Sequence, residues 1–426
     1  MKTIALIDTN HGRGHHLMYM RWFSRTLLEE GYRVLAFFPI SSEISEWILA
    51  ECPQYAASFH GIDLPNLERW DLPVIGKLKP KKNPLARYLQ QYFLVLGRWQ
   101  QAADAVQRAA RELGFSPDLV FFNWLDNYFS YSFSHFWIDQ IFPYPWSGLY
   151  FRPGEMRFGK QSRRPHYAIA QSSRCQGLTI LNEDMLETLH QTLITPTFLA
   201  PDLTDESAPN PDCEIVKQIR TKAGQRKIIG LLGSLSKRKG IMTLLEVAQR
   251  SPVEDFFFVF AGTLQPQTFA QDYNQSFPEE YQRVKDGAEA PPENCFFYTD
   301  FIPTEADFNA LVDCCDVLFA AYENFKYSSN ILTKAAVFQK PVIVSEGFCM
   351  AERVKQHQLG VVVPEGDAGA CLNALQTLVA SDADADCFQF EAYRQLHSVA
   401  RLKHIFQALL GSSQPGAEPA REPVNV

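Results

Sequence analysis

The stretch "GLLGSLSKRKGIMTLLEVAQR", residues 230 to 250, reads as a strand, a glycine turn and a helix, with Lys237, Arg238, Lys239 and Gly240 at the point where the helix opens. Cations at a helix N-terminus oppose the helix dipole, so helix formation alone does not account for them. A bound anion, a diphosphate above all, reverses that penalty, and Gly233 and Ser234 supply the turn beside it. A second stretch of the same kind, "ENFKYSSNILTKAAVFQKPVI", spans residues 323 to 343. Ser328, Ser329 and Asn330 are good N-cap types, and Ile331, Leu332, Ala335 and Ala336 form an apolar face at helical spacing. Capping explains the polar residues when they are taken alone. Two such helix starts in one half of the chain, with Lys326 and Lys334 around the second, point instead to an anion held between a cationic turn and backbone N–H groups.

The N-terminal loop "DTNHGRGHHLMYMRWF" (8–23) has a different chemistry. Gly12 and Gly14 suggest a dinucleotide fingerprint, but Leu17 stands where the third glycine is required, so a nicotinamide cofactor is not expected. His11, Arg13, His15 and His16 cluster there, yet no carboxylate or thiol follows at ligand spacing, and no metal is expected. The histidines are either capping or solvated residues, or they serve a site at the exit of the first strand.

These residues need elements to hold them. Short aliphatic runs alternate with amphipathic helical stretches: strands are expected at 3–8, 33–39, 117–123, 147–153 and 177–182, and again at 227–233, 255–262, 295–301, 316–321 and 340–346. This is the rhythm of α/β parallel sheets, in two sets. Between them "PDLTDESAPNPD" (201–212) lacks periodicity and reads as a linker. With 426 residues the chain is long enough for two domains, expected at 1–203 and 204–390 with a ligand cleft between them. A helix at 391–412 follows, then a tail, 413–426, whose composition cannot support a core.

The net charge of −8 argues against nucleic acid as a partner. Nine scattered cysteines without a CxxC pair read as reduced thiols of a cytoplasmic protein, and no apolar run reaches the length of a spanning helix.

The second half resembles the retaining GT-B glycosyltransferases of family 4. "GSLSKRKG" is similar to their GRLxxxKG loop, "FVFAGTL" to their VGxG strand end, "YTDFIPTEADFNALVDCCDVLFAAY" to their base-binding segment, and "KAAVFQKPVIVSEGFCMAERV" to their EAMAxGxPVI stretch. The resemblance covers 227 to 367 and implies a GT-B architecture, two Rossmann-like domains facing a central cleft. It also implies that the C-terminal domain holds a UDP- or GDP-sugar as co-substrate, that the N-terminal domain holds the acceptor, and that the last helix packs back on the N-terminal domain. No further cofactor is implied.

Carried over by position, Lys239 is the lysine that meets the donor diphosphate, with Arg238 standing in for an arginine that Ser234 replaces. Gly233, Gly262, Thr299, Asp300 and Phe301 fall on donor-binding positions. The family's two glutamates, which hold the donor sugar and the ribose, fall on Lys326 and Lys334, and a lysine cannot accept their hydrogen bonds. Either these lysines add charge beside the diphosphate while Glu323 or Glu352 serves the sugar, or the donor site is weakened or lost. The resemblance also brings the loop bearing His11, Gly12, Arg13, Gly14 and His16 close to donor and acceptor, with His15 the candidate for a catalytic part.

Most rings in the aromatic segment 121–158 are expected in the core, but Asn123 and Asp126 follow a strand and Arg152 ends another, so all three are candidates for the acceptor side. Lys77, Lys79, Lys81, Lys82 and Arg87 precede an apolar helix. A solvated loop is the plainer reading; docking of segment 77–87 on anionic lipid at the inner face of a membrane is the other.

Overall fold

The computed structural model describes residues 1–10, 15–68, 71, 84–129, 134–152, 166–270, 273, 276–380 and 387–411. They form two compact units, Met1–Pro201 joined by the chain from Val399, and Asp202–Ser398.

The first unit is built on seven parallel strands: β1 (Thr3–Ile7), β2 (Arg33–Phe38), β3 (Phe59–Asp63), β4 (Leu119–Phe122), β5 (Trp146–Tyr150), β6 (Cys175–Ile180) and β7 (Thr197–Leu199), in the order β3-β2-β1-β4-β5-β6-β7. Every residue of β1, β4 and β5 is buried, which is why these strands read as unbroken apolar runs. The aromatic segment is mainly core, as expected: Trp99, from the helix Pro84–Leu113, meets Phe122, Tyr128, Phe142 and Trp146 at centroid distances of 5.0 to 5.4 Å. Its indole N–H donates to the Tyr128 carbonyl at 2.9 Å, so a large polar-tipped ring is buried without an orphaned donor.

The second unit carries six parallel strands, β8 (Lys227–Leu232), β9 (Phe256–Ala261), β10 (Cys295–Tyr298), β11 (Val317–Ala320), β12 (Val342–Ser345) and β13 (Gly360–Val363), in the order β10-β9-β8-β11-β12-β13. The strand ends of β8 and β9 touch at two glycines. A Cβ on Gly262, whose φ is +142°, would lie 1.6 Å from the Gly233 carbonyl oxygen, so no side chain is admissible there.

Two expectations hold only in part. The stretch from 391 is two helices, Phe390–Leu396 and Val399–Gly411. The first stays in the second unit, with Tyr393 fully buried and its hydroxyl 3.4 Å from Arg353 Nη1. The second joins the first unit, where Phe406 meets Phe23 at 5.7 Å and Phe121 at 5.1 Å. The break falls at His397, whose buried ring accepts the Asp202 N–H on Nδ1 at 2.9 Å. Burial, with the Arg353 charge adding to it, holds that ring well below its ordinary pKa and so neutral, as an acceptor must be.

The segment read as a linker is also not loose. Asp202, Leu203 and Thr204 are buried. Ser328 donates to the Asp202 carboxylate, and Thr333 Oγ1 donates to the Asp202 carbonyl at 2.8 Å. Asn309 Nδ2 reaches the Ser207 carbonyl at 2.8 Å, and Asn210 Nδ2 the Asp307 carboxylate at 2.7 Å. Lack of periodicity marked this segment correctly as non-helical, but side chains from the rest of the unit satisfy its backbone and fix it.

Candidate functional site

In an open parallel sheet, ligands bind beyond the carboxyl ends of the strands where the strand order reverses. That point lies between β8 and β11 in the second unit and between β1 and β4 in the first.

In the second unit the chain leaves β8 through Gly233 and Ser234, makes one short turn at Lys237–Lys239, and enters the helix Ile241–Arg250 through Gly240. Gly240 has φ +75°, and a Cβ there would come within 2.3 Å of the Ala321 carbonyl oxygen just past β11. The two loops predicted from sequence therefore meet. Their junction is the Glu323 N–H, which donates to the Arg238 carbonyl at 2.7 Å. The Arg238 guanidinium lies over the Phe325 ring at 4.5 Å and the Tyr322 ring at 5.6 Å. Lys239 Nζ sits beside Gly233 and donates to the Leu232 carbonyl at 2.8 Å. Burial pulls its pKa below the ordinary lysine value; Tyr322 opposes that shift and the Arg238 charge adds to it.

Two features ask for a ligand here. The hydroxyls of Ser234 and Ser236 are buried and unpartnered among the described residues, although such groups are normally satisfied. Apart from these, the backbone N–H groups of Ser329 and Asn330, which precede the helix Ile331–Val337, show no acceptor among the described residues. Glu323 has a different setting: Lys237 lies 3.9 Å away and the Tyr273 hydroxyl 3.3 Å, and burial pushes the carboxyl up while Lys237 pulls it down. It borders a hollow of about 600 Å³ shared with Glu246, Glu279, Glu280 and Glu365. Against those carboxylates the lining sets Arg283, so the hollow is acidic on balance and disfavours a diphosphate.

Several predicted donor residues do not join this cluster. Lys334 is 2% exposed, and its Nζ donates to the Asp205 carbonyl at 2.9 Å, to Glu305 at 3.2 Å and to Asn309. Its charge is neutralised inside the second unit, so it does not add to the field on a diphosphate. The Ser328 hydroxyl is bonded to Asp202 and Arg353. Asn330 has φ −61° and makes no capping bond, so the helix Ile331–Val337 starts without the side-chain cap its sequence suggests. Lys326 is exposed, 5.7 Å from the Phe348 ring. Thr299, Asp300 and Phe301 follow the edge strand β10, beside β9 rather than β8, with Asp300 and Phe301 exposed. Glu352 pairs with Lys355 at 3.1 Å.

In the first unit, Asp8 follows β1 and Asn123 follows β4 at the reversal point. Asp8 Oδ2 is 2.8 Å from His16 Nδ1, and Asp8 Oδ1 accepts the Asn10 N–H at 3.0 Å. The His16 ring lies 4.5 Å from Trp124, which is stacked on Phe151 at 4.2 Å. Asn123 is 1% exposed, and neither atom of its amide has a partner among the described residues. Asp126 departs from expectation. Its two carboxylate oxygens accept the N–H groups of Phe151 and Arg152 at 2.8 and 2.9 Å, so it holds the exit of β5 instead of facing an acceptor. Burial pushes its pKa up to about 6 against the pull of those N–H groups. Arg152 is half-buried at that exit. His11, Gly12, Arg13 and Gly14, the side chain of His15, and most of the basic segment 77–87 lie outside the described residues.

Sequence reading missed Asp8, Trp124, Tyr322, Phe325 and Ser236. Only the first had a signal: a carboxylate directly after the first strand, eight residues before His16.

Residues 212–395 match the family described as "Glycosyl transferases group 1". No curated protein matches the sequence significantly. Among solved structures the fold is similar to that of the sucrose-phosphate synthase of Thermosynechococcus elongatus, with TM-score 0.62 and 16% identity over 97% of this chain and 100% of that one. It is similar to Anabaena Alr3699/HepE in complex with UDP, with TM-score 0.63 and 15% identity over 97% and 100%. It is also similar to a UDP-forming trehalose-phosphate synthase from Burkholderia xenovorans, with TM-score 0.57 and 12% identity over 96% and 99%. At such identities the likeness is one of fold. Among the described residues no helix is long and apolar enough to cross a membrane.

Proposed function

We propose that the chain is a retaining, nucleotide-sugar-dependent glycosyltransferase that moves a sugar from a nucleotide diphosphate to an acceptor hydroxyl, a reading supported by the match of residues 212–395 to the glycosyl transferases group 1 family and by the two parallel sheets of a GT-B fold. The observation that carries this reading is the junction of the two loops at the β8/β11 reversal, where the Glu323 N–H meets the Arg238 carbonyl and Lys239 stands beside Gly233.

Charge developing on the departing diphosphate is met there by Lys239, Arg238 and the N–H groups of Ser329 and Asn330. Donors fixed in advance stabilise such a charge without reorganising. In the resembled family the leaving phosphate assists attack on the same face, so the scheme demands no protein base. The donor is a UDP- or GDP-sugar, and the uridine choice is supported by a protein of the same fold solved with UDP-glucose. With Lys334 withdrawn into its own unit, Glu323 is the carboxylate left to take a sugar hydroxyl. The acceptor belongs with the first unit, at His15, His16, Asn123 and Arg152, and the basic segment 77–87 suits an acceptor presented at the inner face of a membrane.

One observation favours a second reading, a binding protein without turnover: a lysine fastened in place where the family has a carboxylate. Incubating the purified chain with radiolabelled UDP-glucose and GDP-mannose and following release of free sugar separates the two. Slow hydrolysis of either donor supports the enzyme; nucleotide binding with no release over many hours supports the binding protein.

A further inference from the structure

Resting on the reading that the acceptor belongs with the first unit, we infer that Asp8 is a positioning residue that sets His16 as a hydrogen-bond acceptor for a carbohydrate hydroxyl, making the β1/β4 reversal a hydroxyl-selective subsite rather than an anion site. The contact that fixes this is between Asp8 Oδ2 and His16 Nδ1, at 2.8 Å. A carboxylate can only accept, so the proton of the bond lies on Nδ1, and in the neutral ring Nε2 carries the lone pair. The carboxylate is itself fixed: its side chain is 1% exposed, and its other oxygen takes the backbone N–H of Asn10 at 3.0 Å and the Asn10 amide at 3.1 Å. Asn10 is held in turn by Asn127, at 3.0 Å.

The ring cannot readily turn over to exchange its nitrogens, because Trp124 packs on it at 4.5 Å and Phe151 backs Trp124 at 4.2 Å. His16 keeps a 20% exposed side chain, and its Nε2 makes no bond among the described residues. Beside it in the fold, Asn123 follows β4 with an amide that is unpartnered on both atoms among the described residues and whose backbone N–H is tied to the Ile7 carbonyl at 2.9 Å. A lone pair on Nε2 backed by a carboxylate repels phosphate and welcomes an O–H donor. The subsite therefore complements the cationic junction of the second unit: one recognises an anion, the other a hydroxyl.

The test uses the full chain with 15N-labelled histidine, read by long-range 15N–1H correlation at pH 8. The expected result is the Nδ1–H tautomer for His16 and a shift of its Nε2 resonance on titration with methyl α-D-glucopyranoside, methyl α-D-mannopyranoside or methyl β-D-galactopyranoside. Inorganic phosphate should leave it unmoved. In Asp8→Asn the ring should change to the Nε2–H tautomer and lose the glycoside response at least tenfold, while affinity for UDP or GDP stays within twofold; should Asp8→Asn not fold, His16→Gln, at a partly exposed position, should lower glycoside affinity read by saturation-transfer NMR at least tenfold with the same nucleotide affinity. An Nε2–H tautomer in the unaltered chain, or a His16 that responds to phosphate and to none of the glycosides, overturns the inference. Because nucleotide binding is read separately, a failed subsite with intact UDP or GDP binding leaves the donor reading standing, and loss of both removes each.

Discussion

Lys334 Nζ donates to the Asp205 carbonyl at 2.9 Å, which makes the residue at a sugar-nucleotide position of the resembled family a structural fastener of the segment entering the second unit. The same ammonium takes Glu305 at 3.2 Å and Asn309, and burial pulls its pKa down while Glu305 opposes the shift. Lys334→Met should free the Asp205 carbonyl and the Asn309 amide oxygen inside the unit and cost about 2 kcal/mol, seen as a lower urea midpoint. Nucleotide affinity at saturating stability should hardly change. A variant as stable as the parent that no longer binds nucleotide would return Lys334 to the donor site.

Gly240 packs against the Ala321 carbonyl at the start of the second loop. Gly240→Ala adds a Cβ 2.3 Å from the Ala321 carbonyl oxygen at a φ of +75°, so the turn bearing Lys239 has to move. A loss of at least tenfold in diphosphate affinity is expected, with a stability cost above about 1 kcal/mol from the left-handed conformation. Calorimetric titration beside a denaturation curve separates the two effects.

Asp126 supplies a pH signature. Its carboxyl is raised from 3.8 to about 6 in the folded chain, so between those values the folded state binds more protons than the unfolded one. Stability then falls as pH rises from about 4 through about 6 and is flat above, an effect of at most about 3 kcal/mol. In Asp126→Asn that part of the slope should vanish, so the urea midpoint should change less between pH 4 and pH 7 in the variant than in the parent. An unchanged slope would place the titration elsewhere.

How much of this was legible in the sequence follows from burial. The central strands, such as β1, β4, β8 and β9, are covered on both faces and show as unbroken apolar runs, "TIALI" and "FFFVFA" among them. The strands that escaped notice, β3, β7 and β13, all lie at sheet edges, where one side is open and residues such as His60 and Asp63 are tolerated. The turn bearing Lys239 and Arg238 stood out as a candidate because cations at a helix start contradict local preference. Lys334 and Asp126 were misread for one reason: their partners, Asp205 and Phe151, are remote in sequence, and spacing carries no record of a contact over 129 or 25 residues.

In the proposed enzyme Lys239 meets a nucleotide diphosphate at the β8 exit. Lys239 is already desolvated, with its pKa lowered, so an approaching diphosphate gains a charge that needs little further stripping of water. The most direct measurement is calorimetric titration of UDP and GDP, each with its monophosphate as control, into the parent chain and Lys239→Ala. At least one diphosphate should bind the parent tighter than its monophosphate, and Lys239→Ala should lose this difference and all turnover while keeping the parent's circular dichroism and melting temperature within a few degrees. A folded Lys239→Ala that binds the diphosphate as well as the parent does would contradict this role of Lys239.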